Sequence, residues 1–192
     1  YRVTVASTDD ERAAFYVAHD ANVSIGPNRV GLSGPAWEGV DLTEVSVAAL
    51  ADEPGEAMPE AWKHLHVFLP TEEPCPYPML VNGAFATDLS RQHVRVRPEP
   101  GDYNAHLVRE AARLFVDQML PALEQDGFER VLSVLDRGGS PIGAQAAELF
   151  HECLVEALAG TPLLPTESGE MKTLAACVLP SPLVEAEGEI FR

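Results

Sequence analysis

The amino-acid sequence predicts an α+β fold, in which a mixed sheet carries helices on one face and a smaller segment follows at the C-terminal end. Two observations predict this class. Apolar and polar residues alternate at several places in the first hundred residues, which is the period of β-strands. Further along, apolar residues recur every three or four positions, as on one face of an α-helix. Runs of strands followed by runs of helices are typical of α+β proteins.

Strands are predicted at six places in the first half, over residues 1–6, 13–19, 45–49, 64–69, 79–85 and 93–97. Gly26-Pro27-Asn28 is a turn signal, and residues 52–59, rich in Pro, Gly and carboxylates, are predicted to be a loop. Pro70 is expected to end the fourth of these strands, because proline fixes φ and lacks an N–H donor. Three further prolines are expected to stiffen an irregular stretch: Pro74, Pro76 and Pro78.

A long amphipathic helix is predicted over residues 104–125, where the apolar residues form one broad stripe. Asp102 or Asn104 can cap its N-terminus, since their side chains accept hydrogen bonds from unpaired backbone N–H groups. Pro121 lies inside the pattern, so a kink or a late break is expected near Leu120.

A second helix has clear signals at both ends. Ser140 is a natural N-cap, Pro141 is the favoured first helical residue, and Gly160 is expected to end the helix in a left-handed conformation. Residues 128–135, between the two helices, fit either a short strand or a helix. The proline-rich C-terminal end can supply only short elements.

Acidic residues dominate the charge: 30 Asp and Glu against 13 Lys and Arg give a formal net charge of −17. This field repels phosphate groups, so the general surface is not expected to bind nucleic acid directly. Lys63 and Lys172 are the only lysines. That composition suits either a protein kept soluble in high salt, as in a halophile, or a genome that encodes Arg in place of Lys.

Cysteine usage and hydropathy narrow the cellular compartment. Cys75, Cys153 and Cys177 are far apart and form no Cys-x-x-Cys pair, so neither a disulfide framework nor a thiolate zinc site is expected. No apolar run approaches the ~20 residues that a bilayer-spanning helix needs, so no membrane partner is expected. The sequence therefore predicts a cytoplasmic protein.

Two partial motifs invite a chemical interpretation, and a structural one is favoured for each. Asp136-Arg137-Gly138-Gly139-Ser140 precedes a helix as a phosphate-binding loop does, but it lacks the Gly-Lys-Ser/Thr ending, so a turn with a helix cap is favoured. His64 and His66 face one side of a strand, where Cys75 or His93 could complete a metal site. No third ligand lies at a recognised spacing, so no metal ligand is predicted.

The middle of the chain carries a more specific pattern. A strand ends at Phe68-Leu69-Pro70, the next strand reaches Asn82-Gly83-Ala84-Phe85, and a polar turn ends in Arg91. This pattern resembles the segment that follows the ATP-binding domain in sacsin-like proteins of the GHKL ATPase superfamily, which includes the ninety-kilodalton heat-shock chaperones, MutL and gyrase B. The resemblance covers roughly residues 60–170 and extends to Leu163-Leu164-Pro165-Thr166-Glu167-Ser168-Gly169.

The resemblance implies a transducer-like domain of the ribosomal-protein-like βαβ type over residues 1–126, with residues 127–192 as a helical segment packed on it. In that family a basic residue reaches the γ-phosphate when ATP closes the two domains. Arg91 stands at the matching position and is the expected catalytic residue. Together with Asn82 and Gly83, Arg91 also forms the expected cofactor-binding set.

The family's Glu-x-x-x-Asn metal-ligating motif and its Asp-x-Gly-x-Gly loop are absent from this sequence. The chain is therefore expected to hold no cofactor by itself, while ATP and Mg²⁺ bind an upstream ATP-binding domain of a parent protein. That parent would be an ATPase with a chaperone-like or DNA-defence role, in which this chain couples ATP binding to a conformational change. The missing initiator methionine agrees with a fragment of a larger protein.

Two alternatives stay open beside this interpretation. Arg91 can be a solvated turn residue that pairs with Asp88. The chain as a whole can be a non-catalytic, acidic interaction module, whose charge of −17 would steer a cationic protein client toward it.

Overall fold

The computed structural model describes residues 2–6, 12–51, 58–59, 62–97, 99–137, 145–166, 168–173 and 176. The chain divides into two compact units, Tyr1–Leu154 and Val155–Arg192. The boundary after residue 126 that the resemblance implies stays a prediction.

The first unit is built on a six-stranded sheet. Its strands are β1 (Arg2–Ala6), β2 (Arg12–Ser24), β3 (Leu42–Leu50), β4 (His64–Val67), β5 (Leu69–Pro74) and β6 (Met79–Gly83). In space they follow the order β1-β2-β3-β6-β4-β5. Strands β4 and β6 are parallel and the other neighbours are antiparallel, so the predicted mixed sheet is confirmed.

The parallel pair in this sheet is not connected by a helix. Strands β4 and β6 are joined through β5, which pairs antiparallel with β4. In the described residues every α-helix follows the last strand of the sheet in sequence. The βαβ crossover that the family resemblance implies is therefore not found in this part of the chain.

One face of the sheet is buried by alternation along its central strands. Val45, Val47 and Ala49 of β3 are buried, while the residues between them are partly exposed. In β6, Met79 lies opposite Ala49 and Val81 lies opposite Val47, and both are buried. Residues directly opposite each other on paired strands share a face of the sheet, so these side chains form one buried face. The first helix packs against β2 and β3.

The long predicted helix forms as three consecutive pieces: α1 (Tyr103–Leu114), a π-helical turn (Phe115–Met119) and α2 (Leu120–Gln125). Asp102 is the N-cap, since its side chain accepts a 2.8 Å hydrogen bond from the Ala105 N–H. Leu114 and Leu120 are both in the α-helical conformation, so the helix continues through the π-helical turn, which directly precedes the turn of Pro121; the predicted kink or break near Leu120 stays a prediction.

Two further helices complete the helical part. Residues 128–135, which the sequence left undecided, form α3 (Phe128–Leu135), and it begins after Gly127, whose φ is 104°. Helix α4 (Gln145–Ala159) confirms the second predicted helix. Its predicted cap and first residue, Ser140 and Pro141, lie outside the described residues.

The end of α4 differs from the prediction. Gly160 follows the helix but is not among the glycines with positive φ. Thr161 closes the end instead: its N–H donates to Leu158 O at 3.0 Å and its hydroxyl to Ala157 O at 3.0 Å. These bonds satisfy terminal carbonyls that a left-handed glycine would otherwise serve.

Two strand predictions were wrong in their limits. Pro70 does not end a strand; the chain turns at Phe68, and residues 69–74 form β5 with proline at both the second and the last position. Proline is tolerated there because β5 is an edge strand. Residues 93–97 are extended but pair only through an isolated bridge from Val94 to Thr87.

The second unit contains a short antiparallel hairpin of β7 (Leu164–Pro165) and β8 (Met171–Lys172). The sheet and helices of the first unit confirm the α+β class.

Candidate functional site

Asn82 stabilises the tip of a neighbouring hairpin. It lies near the end of β6, and its Oδ1 accepts a 3.0 Å hydrogen bond from the Phe68 N–H. Phe68 connects β4 to β5 with φ 62°, a left-handed conformation that side chains with a Cβ rarely adopt. The side-chain amide of Asn82 therefore stabilises a strained turn between β4 and β5.

Gly83 is required by close packing. It is buried and pairs with Val45 across the sheet. A Cβ at this position would lie 3.2 Å from Cε2 of Phe85 and 3.3 Å from the Glu44 carbonyl oxygen. Hence the Asn-Gly-x-Phe pattern has a local structural reason: the glycine leaves room for the aromatic ring two residues later.

Arg91 lies on a loop that is organised by one carboxylate. We call residues 88–93 the Arg91 loop. Asp88 Oδ1 accepts hydrogen bonds from Ser90 Oγ at 2.7 Å and from the backbone N–H groups of Gln92 and His93 at 3.2 and 3.5 Å. The bond from Ser90, followed by the two backbone bonds, holds the pKa of Asp88 below its ordinary value.

Arg91 itself is exposed and has φ 60°, while its N–H donates to Asp88 O at 3.1 Å. Within the described residues its guanidinium forms no hydrogen bond or ion pair, and the Asp88 carboxylate is not its partner. The structure thus leaves all the guanidinium donors available, in a backbone conformation that costs free energy for any residue except glycine.

The Arg91 loop is fastened to the sheet edge. Glu72 of β5 donates its N–H to Gln92 O at 2.8 Å. The His93 ring lies 3.8 Å from a Glu72 carboxylate oxygen and 3.5 Å from a Glu73 carboxylate oxygen. These contacts cover part of the free edge of β5 and hold Arg91 beside it.

Exposed apolar side chains lie at the tip of the β4–β5 hairpin and on the Arg91 loop. Phe68 and Leu69 at the hairpin tip are about three-quarters exposed, and Leu89 of the Arg91 loop is fully exposed. Exposed apolar side chains that form a contiguous patch are typical of contact surfaces.

Asn82, Gly83 and Arg91 therefore do not converge through contacts of their own. The first two are engaged inside the sheet, whereas Arg91 points from a loop on its edge. The part that these three residues take in nucleotide binding stays a prediction.

A cleft of about 580 Å³ opens over the N-terminus of α1, next to the Arg91 loop. We call it the α1 cleft. The residues that line it come from three segments: Val30 and Gly31; Ala86, Thr87, Asp88, Leu89, Ser90, Arg95 and Arg97; and Asp102, Tyr103 and Asn104.

Asn104 holds one wall of the α1 cleft. Its Oδ1 accepts from the Ala86 N–H at 2.8 Å, and its Nδ2 donates to Ala86 O at 2.7 Å and Arg95 O at 2.8 Å. The opposite wall is fixed by backbone bonds from Val30 N to Gly101 O and from Tyr103 N to Val30 O. Both walls are thus built before any ligand arrives.

Sequence reasoning missed this cleft. A usable signal was present in the alternation Val94-Arg95-Val96-Arg97, in which both valines are buried and both arginines exposed. Strand-like alternation places the two arginines on one side. The role of Asn104 as a clamp carries no sequence signal, because it depends on segments that meet only in the fold.

The other candidate residues do not form a site. Burial lowers the pKa of His66, and burial raises the pKa of the Cys75 thiol to about 12, so this thiol stays protonated. In the part of the chain that the structure describes, no group of three or more His, Cys, Asp or Glu side chains could hold a metal ion. The glycine-rich residues 138–140 lie outside that part.

Fold and site together define an α+β protein with a braced, arginine-bearing loop and an adjoining cleft. No protein-family model, curated protein or solved structure matches the chain. None of the helices in the described residues is long and apolar enough to cross a membrane.

Proposed function

We propose that this chain is the transducer-like region of a larger, cytoplasmic sacsin-like GHKL ATPase. In this proposal Arg91 contacts the γ-phosphate of ATP that a separate domain of the parent protein holds with Mg²⁺. The observation that carries the proposal is the state of Arg91: an exposed guanidinium, without a side-chain partner among the described residues, on a hydrogen-bonded loop with a strained backbone.

A guanidinium on such a loop suits phosphate recognition. It is always charged, and its planar fork of N–H donors matches the oxygens of a phosphate group. In the described residues Asp88 Oδ1 accepts from Ser90 and the loop backbone, and no ion pair joins this carboxylate to Arg91, so the guanidinium is open to a phosphate. Strain that persists at an exposed position motivates a functional role, since a glycine there would remove it.

The loop is also placed to transmit a movement. It is bonded to β5 through Gln92, and the segment beside it is clamped to α1 through Asn104. Phosphate contact at Arg91 would therefore act on the sheet edge and on the start of a helix together. Asn82 and Gly83 support the same region by shaping the hairpin tip and the end of β6.

The test is the turnover of ATP by the parent protein carrying Arg91→Ala. We expect kcat to fall by at least about tenfold with a much smaller change in KM, because the lost contact belongs more to the transition state than to the ground state. Arg91→Lys should recover only part of the loss, since lysine keeps the charge but not the fork.

The matched control is Arg109→Ala, which removes an exposed arginine of α1. It should leave turnover unchanged. Unchanged turnover in Arg91→Ala would contradict the proposal.

A second candidate function, a non-catalytic module that binds a protein client, is favoured by the exposed Phe68, Leu69 and Leu89. With a net charge of −17, such a module would attract a cationic client. Its test is a pull-down at rising salt with the wild-type chain and Leu89→Ser. Recovery should fall with salt and with the substitution, and recovery that ignores both would contradict this function.

A further inference from the structure

We propose that the α1 cleft binds the carboxylate or phosphate group of a small organic anion through Arg95 and Arg97. This site is separate from the contact proposed for Arg91, which does not line the cleft. It requires no second domain, so the chain itself can be tested for it.

The two arginines face the cleft together. Val94 and Val96 are buried on one side of the extended segment, so the side chains of Arg95 and Arg97 project from the other. Both arginines line the cleft. Two forked cations on one wall form the arrangement that carboxylate and phosphate oxygens bind.

The donors of these arginines are largely uncommitted. In the described residues no side-chain partner of Arg95 is found, and its backbone carbonyl is held by Asn104. Arg97 has one ion pair, with Glu99 at 3.8 Å, and both side chains are about half exposed. An exposed pair at that distance contributes little and yields readily to a ligand.

The two carboxylates of the cleft are already engaged. Asp102 caps α1 through Oδ1, where its charge also interacts with the positive end of the helix dipole. Asp88 accepts three hydrogen bonds inside the Arg91 loop. The formal charges of the two arginines and the two carboxylates in the cleft balance, so an anion would be bound by the guanidinium donors that remain open and not by a net positive field.

Gly31 lines the cleft in a backbone conformation that favours glycine. Gly31 has φ 95°, and a Cβ built there would lie 3.6 Å from both Arg97 Nη1 and Asp102 Oδ2. With the walls pinned by Asn104 and Val30, the space of about 580 Å³ is preformed and within the range of small-molecule sites. A preformed site loses little entropy on binding.

The charge and lining of the cleft narrow the class of ligand. Two arginines match one carboxylate or phosphate group, while Val30 and Leu89 offer apolar contact to the rest of the molecule. The overall charge of −17 disfavours a polyanion such as free ATP. The ligand class is thus a singly or doubly charged organic anion with an apolar body.

The experiment is an NMR titration of the full ¹⁵N-labelled chain with benzoate, with phenyl phosphate and with neutral benzamide. We expect at least one anion to bind with a millimolar dissociation constant and to shift amide signals of residues 87–90, Gly31 and Asn104. Benzamide should shift none of them. The stronger of the two anions identifies which group the cleft prefers.

The matched variants are Arg95→Ala and Arg97→Ala, with Arg113→Ala as the control on the exposed side of α1. Loss of a charge-assisted contact should weaken binding by about tenfold in the first two and not in the control. The proposal would be overturned if benzamide caused the same shifts as the anions, or if Arg95→Ala and Arg97→Ala bound the anions as tightly as the wild-type chain. It would also be overturned if neither anion caused a shift at a concentration of about ten times the expected dissociation constant.

Discussion

Asp88 shows how one side chain can organise a loop. Its single oxygen Oδ1 accepts from Ser90, Gln92 and His93, and these bonds define the path of the backbone on both sides of Arg91. The bond from Ser90 first, and the backbone bonds after it, lower the pKa of Asp88. The ionised carboxylate is therefore the form that the folded loop stabilises.

Replacing Asp88 by Asn should reveal this preference as a pH-dependent loss of stability. A pKa that is lower in the folded chain than its ordinary value of 3.8 contributes stability above that pH, and the contribution is lost as the pH falls through the folded value. The difference in free energy of unfolding between wild type and Asp88→Asn should be constant near neutral pH and shrink below pH 3.8.

Urea unfolding followed by circular dichroism at several pH values measures this difference. Asp117→Asn, at an exposed position of the π-helical turn, controls for the loss of one negative charge. A difference between wild type and Asp88→Asn that grows on acidification would contradict the assignment of these hydrogen bonds.

At the scale of elements, the end of β6 and the edge strand β5 position the Arg91 loop. Gly83 allows Phe85 to pack against the strand, and Glu72 holds the loop through Gln92. The hairpin of β4 and β5 turns at Phe68, which Asn82 stabilises. The bonds from Glu72 to Gln92 and from Phe68 to Asn82 join segments that are distant in sequence but adjacent in the fold.

Gly83→Ala should therefore destabilise the fold by about 1–3 kcal/mol, because the added Cβ overpacks the contact with Phe85 and the Glu44 carbonyl. The matched control is Gly160→Ala. A Cβ built on Gly160 would have no heavy atom of the described residues within 4 Å, apart from its chain neighbours and its own helix backbone, and φ there is not positive. That change should leave the unfolding midpoint in urea unchanged or raise it, since alanine restricts the unfolded chain. Equal stability of the two variants would show that Gly83 is not tightly packed.

Elements with strong local signals could be predicted from the sequence. The alternation of Val45, Val47 and Ala49 predicts β3, and the apolar stripe over residues 104–125 predicts the helical run from Tyr103 to Gln125. The extension of β5 through Pro70 could not be predicted, because proline ends a strand unless that strand lies at an edge, and edge position is decided by the whole sheet.

The candidate site, too, could be predicted from the sequence only in part. A sequence pattern singles out Arg91 as a candidate, and the close packing at Gly83 is consistent with that pattern. The α1 cleft does not follow from it, because its walls come from loops that Asn104 and Val30 bring together over α1. The sequence also could not predict that the Asp88 carboxylate accepts from Ser90 and Gln92 and forms no ion pair with Arg91, because these hydrogen bonds depend on how the loop folds.

At the scale of the whole molecule, the charge of −17 sets which ligands the chain can hold alone. Exposed arginines lie on the Arg91 loop and in the α1 cleft, together with Asp88 and Asp102, within this acidic chain. Such a field weakens the binding of a highly charged anion but steers positively charged partners toward the surface. The proposal therefore assigns the binding of the nucleotide to another domain and only a contact to this chain.

The 192-residue chain by itself should show no ATP hydrolysis and only weak ATP binding. The metal-ligating and glycine-rich motifs of the nucleotide domain are absent, and one charge-assisted contact from Arg91 does not offset the ~4 kcal/mol or more that association costs. Calorimetric titration with a non-hydrolysable ATP analogue measures this. A dissociation constant below ~10 μM would contradict it and direct attention to residues 138–140.

The most direct test of the central claim is to replace Arg91 by Gly in the parent protein and measure stability and ATP turnover on the same sample. Glycine relieves the strain of φ 60°, so the free energy of unfolding should rise by up to about 1 kcal/mol. Turnover should fall by at least about tenfold, because the phosphate contact is lost. Opposite changes in the two quantities are the predicted result. A variant that is more stable and hydrolyses ATP at the wild-type rate would contradict the account.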